Sequence, residues 1–390
     1  MPRGKILFAQ VMAHLPLRQF HQIVDRHHGN HKIQDFTCLD QFLAMAFAQL
    51  TFRNGLRGIE STLRANSHCL YHMGFRCGTI SRNTLANANE VRPWQIYAEF
   101  ALLLIQQARY LYAGEELAVD LDASVFALDS TTIDLCLSLF PWAPFRTTKA
   151  AIKLHTLLNL RGNIPEFILI SDGKMGDVKI LDELVFEPGA FYIFDRGYLD
   201  FKRLYHMHRQ AVFFVTRAKK RFDFQVVESR AVEKATGLRC DQSIRLSGIK
   251  SAKRYPERLR RIKYVDPDTG NRLIFLTNNL SLPPLVIALL YKQRWQVELF
   301  FKWIKQHLRI LCFYGYSENA VRTQVWIAVS VYVLLAIIRK ELGIERDMHD
   351  ILEILSASVF QEIPILQALL NAEGQSSVAV DRNQLLLFQL

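Results

Sequence analysis

The chain of 390 residues is poor in cysteine, and its six cysteines lie far apart in the sequence. No two of them form a Cys-x-x-Cys pair. This pattern argues against a disulfide-stabilised secreted fold and against a zinc ribbon. We therefore expect a protein of the reducing cytoplasm.

Long apolar runs are also lacking. The most apolar stretch, residues 325–338, contains 14 residues, whereas a membrane-spanning helix needs about 20. A short apolar run at residues 6–12 has no small-residue cleavage site after it, so we expect no export signal. The sequence predicts neither secretion nor a membrane partner.

Charge is distributed unevenly along the chain, which has 48 Lys and Arg against 37 Asp and Glu. Residues 200–310 include 24 basic and 9 acidic side chains, whereas residues 119–199 include 7 basic and 11 acidic ones. A basic segment directly after an acidic one favours a polyanion-binding surface beside a cation site. A solvated surface without a partner is the alternative.

The spacing of apolar residues changes twice along the chain. Up to about residue 115 it predicts helices, and short apolar runs then predict strands. These strands are predicted at residues 125–128, 151–160, 166–171 and 191–194, the middle two forming a hairpin. Residues 201–284 have little helical periodicity and predict a β-rich insertion. Helices are predicted again at residues 284–308, 326–340 and 349–355.

Two aspartates directly follow apolar runs. Asp129 comes after residues 125–128, and Asp195 comes after residues 191–194. If the two strands are neighbours, both carboxylates lie at one edge of a sheet, where hard divalent cations find oxygen ligands. A turn that begins at each aspartate is the alternative.

One face of the helix predicted near residues 286–308 carries a stripe of polar residues. Tyr291, Arg294, Glu298 and Lys305 fall within an arc of about 60° along about 21 Å of helix, and Lys302 shares that face. A third carboxylate among cations would complete a site for two Mg²⁺ ions beside DNA phosphates. A solvated stripe with an Arg294–Glu298 pair is the alternative.

A helix capped by Ser81 would display Arg82, Asn83, Asn87 and Asn89 in the helical N-terminal part. Arg and Asn are side chains that read guanine and adenine in the major groove. An ordinary exposed helix is the alternative.

Three motifs resemble one family. The spacing Tyr-x2-Arg-x3-Glu-x6-Lys, which begins at Tyr291, resembles the YREK signature of bacterial insertion-sequence DDE transposases, the insertion sequence four family. Residues 128–132, Leu-Asp-Ser-Thr-Thr, resemble the family's first aspartate motif. Residues 195–198, Asp-Arg-Gly-Tyr, resemble the second.

The resemblance implies an α/β (α+β) fold, in which a β-rich insertion interrupts an RNase H-like catalytic core and an all-α DNA-binding module precedes it. Asp129, Asp195 and Glu298 would be the catalytic residues and would bind two Mg²⁺ ions, with Mn²⁺ as a substitute. The expected DNA-binding residues are Tyr291, Arg294, Lys302, Lys305, Arg196, Tyr198, Arg82, Asn83 and Asn87, of which Arg196 and Tyr198 would also support Asp195.

Patterns and resemblance together predict five segments. They are a helical DNA-binding module at 1–115, the first part of the core at 116–200, a basic β-rich insertion at 201–284, the helical second part of the core at 285–340, and a C-terminal helical segment at 341–390 as a candidate protomer contact.

The expected function is that of a transposase which binds the terminal inverted repeats of its own element, cleaves DNA with Mg²⁺ and joins the ends to target DNA. By resemblance, cleavage passes through a hairpin, two protomers form the synaptic complex, and the protein is associated with the nucleoid of a bacterial cytoplasm. A non-catalytic end-binding repressor and an RNase H-like nuclease are the alternatives.

Overall fold

The computed structural model describes residues 4–117, 119–219, 222–267, 269–307 and 313–370. The chain divides into two compact units. One contains the described residues within 1–111, 307–315 and 319–390, and the other those within 112–306 and 316–318. The last 20 residues of the predicted C-terminal segment lie outside the described residues. The division into five segments stays a prediction.

The N-terminal part is all helical, as predicted. Its helices are α1 (Leu7–Met12), α2 (Leu17–Arg26), α3 (Cys38–Leu50), α4 (Leu56–Ala65), α5 (Arg82–Val91) and α6 (Gln95–Tyr112). Helix α3 begins with a capping box between Thr37 and Asp40, and Ser81 accepts a hydrogen bond from the Thr84 N–H at the start of α5. Such caps satisfy N–H groups that a helix leaves open.

The second unit begins with six strands. They are β1 (Val125–Leu135), β2 (Pro144–Arg146), β3 (Lys149–Asn159), β4 (Ile164–Asp172), β5 (Phe191–Phe194) and β6 (Phe213–Arg217). Strand β3 is antiparallel to β1 and β4, which confirms the predicted hairpin, and β5 is parallel to β1 and β6. The order β4-β3-β1-β5-β6 with these directions is the RNase H-like sheet, which confirms the predicted fold class.

The insertion continues the same sheet. After α7 (Phe201–Arg209) and β6, the chain forms β7 (Phe224–Arg230), β8 (Leu238–Leu246), α8 (Ile249–Arg254), β9 (Leu259–Val265) and β10 (Arg272–Thr277). Strand β10 pairs antiparallel with β6, and β9, β8 and β7 follow in order, giving ten strands in all. Little helix was predicted for residues 201–284. This prediction was wrong for residues 201–209, which form a charged helix with Leu204 and Met207 buried on one side.

Two helices follow where one was predicted. Helix α9 (Pro284–Lys292) ends before Arg294, and α10 (Trp295–His307) starts after it. The later helices are α11 (Glu318–Glu341), α12 (Met348–Ser358) and α13 (Ile365–Leu370). Of the helices in the described ranges, α11 is long and apolar enough to cross a membrane, but 94% of its most apolar window is buried inside the folded chain, as in the core helix of a soluble protein.

Side chains of the central strands alternate between two cores. Phe126, Leu128 and Phe194 belong to the core on one face of the sheet. Val125 and Ile193 belong to the core on the other face, together with side chains of α9. Since successive residues of a strand point to opposite faces, Asp129 belongs to the α9 face and Ser130 to the opposite one.

Candidate active site

Asp129 and Asp195 lie on neighbouring strands in matched register. Leu128 is paired with Phe194 in the parallel ladder of β1 and β5, and each aspartate is the next residue along its chain. Asp195 directly follows β5, as predicted. Asp129 does not end its strand, because pairing with β3 continues as far as Leu135, so the strand prediction at this position was too short.

The backbone after Asp195 folds back onto its carboxylate. Oδ1 of Asp195 accepts a hydrogen bond of 2.6 Å from the Gly197 N–H, which caps a short 3₁₀ turn, Arg196–Tyr198. A Cβ atom on Gly197 would lie 2.8 Å from the same oxygen. Glycine in the Asp-Arg-Gly-Tyr motif therefore leaves room for the Asp195 carboxylate.

Arg294 links the first aspartate to the glutamate. Its Nη1 donates to Oδ2 of Asp129 at 2.7 Å, and its Nη2 donates to Oε1 of Glu298 at 2.5 Å. The side chains of Arg294 and Asp129 are 18% and 20% exposed. Arg294 stands in the break between α9 and α10, so the predicted continuous polar stripe is wrong, although Arg294 still joins Glu298 to Asp129.

The pKa of Asp129 is raised to about 6. Burial is the main cause, and the charges of Asp195 and Glu298 add to it, whereas the Ser130 N–H and Arg294 act in the opposite direction. The raised pKa means that burial disfavours the charged form of Asp129, which a bound cation would stabilise.

The three carboxylates are not drawn together as a metal cluster. Among the residues that the structure describes, no group of three or more His, Cys, Asp or Glu side chains is placed to hold a metal ion. The reason at this site is that Arg294 already neutralises Asp129 and Glu298. The donor chemistry still fits a hard divalent cation, because Asp129, Asp195 and Glu298 all offer carboxylate oxygens.

The remaining predicted residues of this unit differ in exposure. Lys302 and Arg196 are exposed. Lys305 donates from Nζ to the Thr132 carbonyl at 2.8 Å, so it also binds β1. Tyr291 is buried against the Phe275 ring, with the Arg294 guanidinium 5.9 Å from its own ring centre.

Tyr198 is the clearest departure from the predicted DNA contacts. It is 1% exposed, so it does not reach DNA and instead packs against the Phe194 ring. Burial, followed by the charges of Asp129 and Asp177, raises the pKa of its hydroxyl, which stays neutral.

Helix α5 presents the predicted polar face. Arg82, Asn83 and Asn87 are all exposed. Asn89, four positions beyond Leu85 in the same helix, is instead buried and accepts a hydrogen bond from Gln41 at 2.8 Å.

A polar group behind β1 has no role among the sequence-based predictions. Ser130 donates from its hydroxyl to Asp177 at 2.7 Å, and Lys153 donates to the same oxygen at 3.0 Å. Burial alone would raise the pKa of Asp177, but these two hydrogen bonds hold it below its ordinary value. Lys153, flanked by the apolar Ile152 and Leu154 in strand β3, was the available signal.

An RNase H-like sheet with carboxylates on its two central parallel strands defines a class of metal-dependent enzymes that act on nucleic-acid phosphodiesters. The model of the family described as the transposase DDE domain matches residues 120–334, and that of a domain of unknown function matches residues 3–76. The first match covers more than half of the chain, so the chain belongs to the transposase DDE domain family.

Known relatives agree with this assignment. A protein named as a transposase in Sinorhizobium fredii is 36% identical over 65% of this chain and 70% of its own length. A protein of Geobacillus stearothermophilus, named as the transposase of an insertion sequence element, is 30% identical over 53% of this chain and 55% of its own length. The chain is thus a DNA-binding insertion-sequence transposase, a metal-dependent enzyme that cleaves DNA and transfers strands.

This chain is weakly similar to a solved transposase structure. That structure is a cryo-EM structure of the piggyBac transposase in its synaptic complex with hairpin DNA, with 9% identity and a TM-score of 0.43 over 95% of this chain and 80% of that chain. A likeness this weak supports no argument about mechanism.

Proposed function

We propose that this transposase excises and inserts its own insertion sequence by a cut-and-paste route through a hairpin end, and that Asp129, Asp195 and Glu298 are its catalytic carboxylates. The observation that carries the proposal is the matched register of β1 and β5. It brings two aspartates side by side, and Arg294 joins the third carboxylate to the first.

The three carboxylates would hold two Mg²⁺ ions, with Mn²⁺ able to replace them. Two such ions supply an activated water or 3′-hydroxyl and stabilise the leaving oxygen in phosphodiester displacement. The chain's own contribution is to orient the carboxylates through the sheet and the Gly197 N–H. Arg294 would turn from the carboxylates to a DNA phosphate, for which its planar guanidinium is suited.

DNA would contact two regions. Around the carboxylates, Arg196, Lys302 and Lys305 would bind phosphates, and Tyr291 would hold Arg294 in place by stacking. On the helical module, the exposed Arg82, Asn83 and Asn87 would read base edges of the terminal inverted repeats. Residues 202–272, with 19 basic and 7 acidic side chains, would follow the DNA backbone.

The quaternary and cellular setting completes the proposal. Two copies of the chain would pair the two element ends in a synaptic complex, because each end needs one active site. The enzyme would work at the bacterial nucleoid, and the spacing that begins at Tyr291 supports its place in the YREK-signature group.

The test needs the natural substrate, which short inverted repeats in the DNA on either side of the gene would supply. Wild type, Glu298→Gln and Glu257→Gln are incubated with end DNA and a target plasmid, with and without Mg²⁺, and the products are separated on denaturing gels. Glu257 is exposed in the insertion and serves as the matched control.

We expect Mg²⁺-dependent cleavage and joining by wild type and Glu257→Gln, and neither by Glu298→Gln. Cleavage without joining would favour a nuclease. Binding of the ends without cleavage by any of the three proteins would favour an end-binding repressor. Full activity of Glu298→Gln would remove the glutamate from the catalytic set.

A further inference from the structure

Directly behind Asp129, on the other face of β1, lies a polar group that the proposed chemistry does not use. It consists of Ser130, Lys153 and Asp177, which we call the Asp177 network. Asp177 begins a short 3₁₀ helix, Asp177–Asp182, and Lys153 stands on β3. The network therefore joins three separate pieces of the chain beneath the site.

Ser130 touches both carboxylates with two different groups. Its backbone N–H donates to Oδ1 of Asp129 at 2.8 Å, and its hydroxyl donates to Oδ1 of Asp177 at 2.7 Å. One residue of β1 thus connects the aspartate on one face of the sheet to the aspartate on the other. Fixing the Ser130 side chain limits how its peptide unit can rotate, and that peptide unit holds Asp129.

Lys153 fixes Asp177 in turn. Its Nζ donates to Oδ1 of Asp177 at 3.0 Å and to the Met175 carbonyl at 2.9 Å. The Lys153 side chain is 13% exposed and that of Asp177 is 38% exposed. Hydrogen bonds between ionised partners are among the stronger ones in proteins, and this pair is shielded enough from water to keep one geometry.

We propose that Asp177 is a positioning residue for Asp129, which acts through Ser130 and is itself held by Lys153. The proposal rests on the assignment of Asp129 as a metal ligand. Groups that orient a metal ligand by hydrogen bonds typically change metal affinity 10- to 100-fold when removed. The Asp177 network has the connections that such a role requires.

The test measures metal binding by the full-length protein without DNA. Mn²⁺ is titrated into wild type, Asp177→Asn, Ser130→Ala and Asp129→Asn by calorimetry, and the rise in Tm with Mn²⁺ is measured in parallel. The matched control is Asp182→Asn. Asp182 lies on the same 3₁₀ helix, where it pairs with Arg203 at 2.5 Å and makes no described contact with Ser130.

We expect Asp177→Asn and Ser130→Ala each to weaken Mn²⁺ binding about 10-fold or more, and Asp182→Asn to bind like wild type. The double variant Ser130→Ala/Asp177→Asn should bind Mn²⁺ no more weakly than whichever single variant has the lower Mn²⁺ affinity. The reason is that both substitutions break the same link to Asp129. Lys153→Arg, which keeps the charge, should retain more affinity than Lys153→Met.

Kinetics separate positioning from DNA binding. For Asp177→Asn we expect kcat to fall with KM for end DNA unchanged, and saturating Mn²⁺ to recover part of kcat. If Asp177→Asn fails to fold, Ser130→Ala alone decides the question. Wild-type Mn²⁺ affinity in Ser130→Ala or in folded Asp177→Asn would overturn the proposal. Unchanged Mn²⁺ binding in Asp129→Asn would instead overturn the metal-ligand assignment of the proposed function.

Discussion

At the scale of single residues, Arg294 matters for the stability of the site, because its one guanidinium group neutralises the carboxylates of both Asp129 and Glu298. Replacing it with methionine leaves Asp129 and Glu298 to face each other without a cation. We expect Arg294→Met to lower the free energy of unfolding of the metal-free protein by about 1–2 kcal/mol, since the pair is only partly buried. Urea unfolding with and without Mn²⁺ measures this loss.

The same experiment has an internal control in Arg203→Met. Arg203 pairs with Asp182 near the surface, where breaking an ion pair costs about 0–1 kcal/mol. Added Mn²⁺ should restore more stability to Arg294→Met than to wild type, because the metal replaces the lost charge. If both variants lose the same free energy of unfolding, with and without Mn²⁺, then Arg294 stabilises the fold no more than a surface ion pair does.

His155, on β3, makes the free energy of unfolding depend on pH. Burial lowers the pKa of His155 to about 4, whereas an unfolded histidine titrates near 6.5. Below about pH 6.5 the unfolded chain binds a proton that the folded chain refuses, so acid favours unfolding until about pH 4. We expect wild type to lose roughly 2 kcal/mol relative to His155→Asn between about pH 6.5 and 4.5.

Urea unfolding of both proteins across this pH range measures the effect. Taking the difference between them cancels the other titrating groups, including Asp129. A difference that does not change with pH would mean that His155 has the same pKa in the folded and unfolded chains.

At the scale of elements, the placement of α10 against β1 depends on Lys305. Its ammonium group bonds the Thr132 carbonyl and so ties the helix that carries Glu298 to the strand that carries Asp129. We expect Lys305→Met to reduce cleavage of end DNA at least about 10-fold, since small misplacements of reacting groups are costly, with a change in Tm of only a few degrees. Gln306→Met, on the exposed side of α10, is the control.

Single-turnover cleavage at saturating end DNA separates the two roles of Lys305. A slower reaction at full occupancy indicates that α10 has shifted, and a weaker Kd at an unchanged rate indicates a phosphate contact alone. The second result would contradict a positioning role for the bond to Thr132.

The elements also differ in how far the sequence determines them. Strands β1, β3, β4 and β5 could be predicted because short apolar runs end at turn-forming residues, and the paired aspartates followed from those strands. The break before Arg294 could not, because neither Gly nor Pro marks it and the Arg294 N–H simply bonds Tyr291 as in a turn. The Asp177 network joins residues 47 and 24 positions apart, so only the topology of the sheet brings them together.

At the scale of the whole molecule, the positive charge of the insertion is not all available to DNA. Arg260 and Arg261 are buried, and Arg260 makes two bonds of 2.7 Å to Asp241. Lys250, Lys253 and Arg254 on α8 are exposed. The salt dependence of DNA binding should therefore depend on α8 and not on the buried arginines.

Replacing the three exposed cations of α8 with alanine should lower the steepness of the plot of log Kd against log salt concentration by about 2–3, because each released counterion contributes about one unit. Fluorescence anisotropy with end DNA between about 50 and 200 mM salt measures the slope. Alanine in place of the exposed Lys234, Arg239 and Lys263 tests whether other cations of the insertion contribute to the same slope. If all six replacements leave the slope unchanged, the insertion turns away from DNA.

The pairing of β10 with β6 has a consequence for any shortened version of this chain. Strand β6 would otherwise be an open edge of a largely apolar sheet, and open edges recruit strands from other molecules. The insertion covers that edge and moves it to β7, where Glu228 and Arg230 interrupt the apolar residues. A shortened enzyme that lacks the insertion would therefore aggregate before its loss of DNA affinity could be measured.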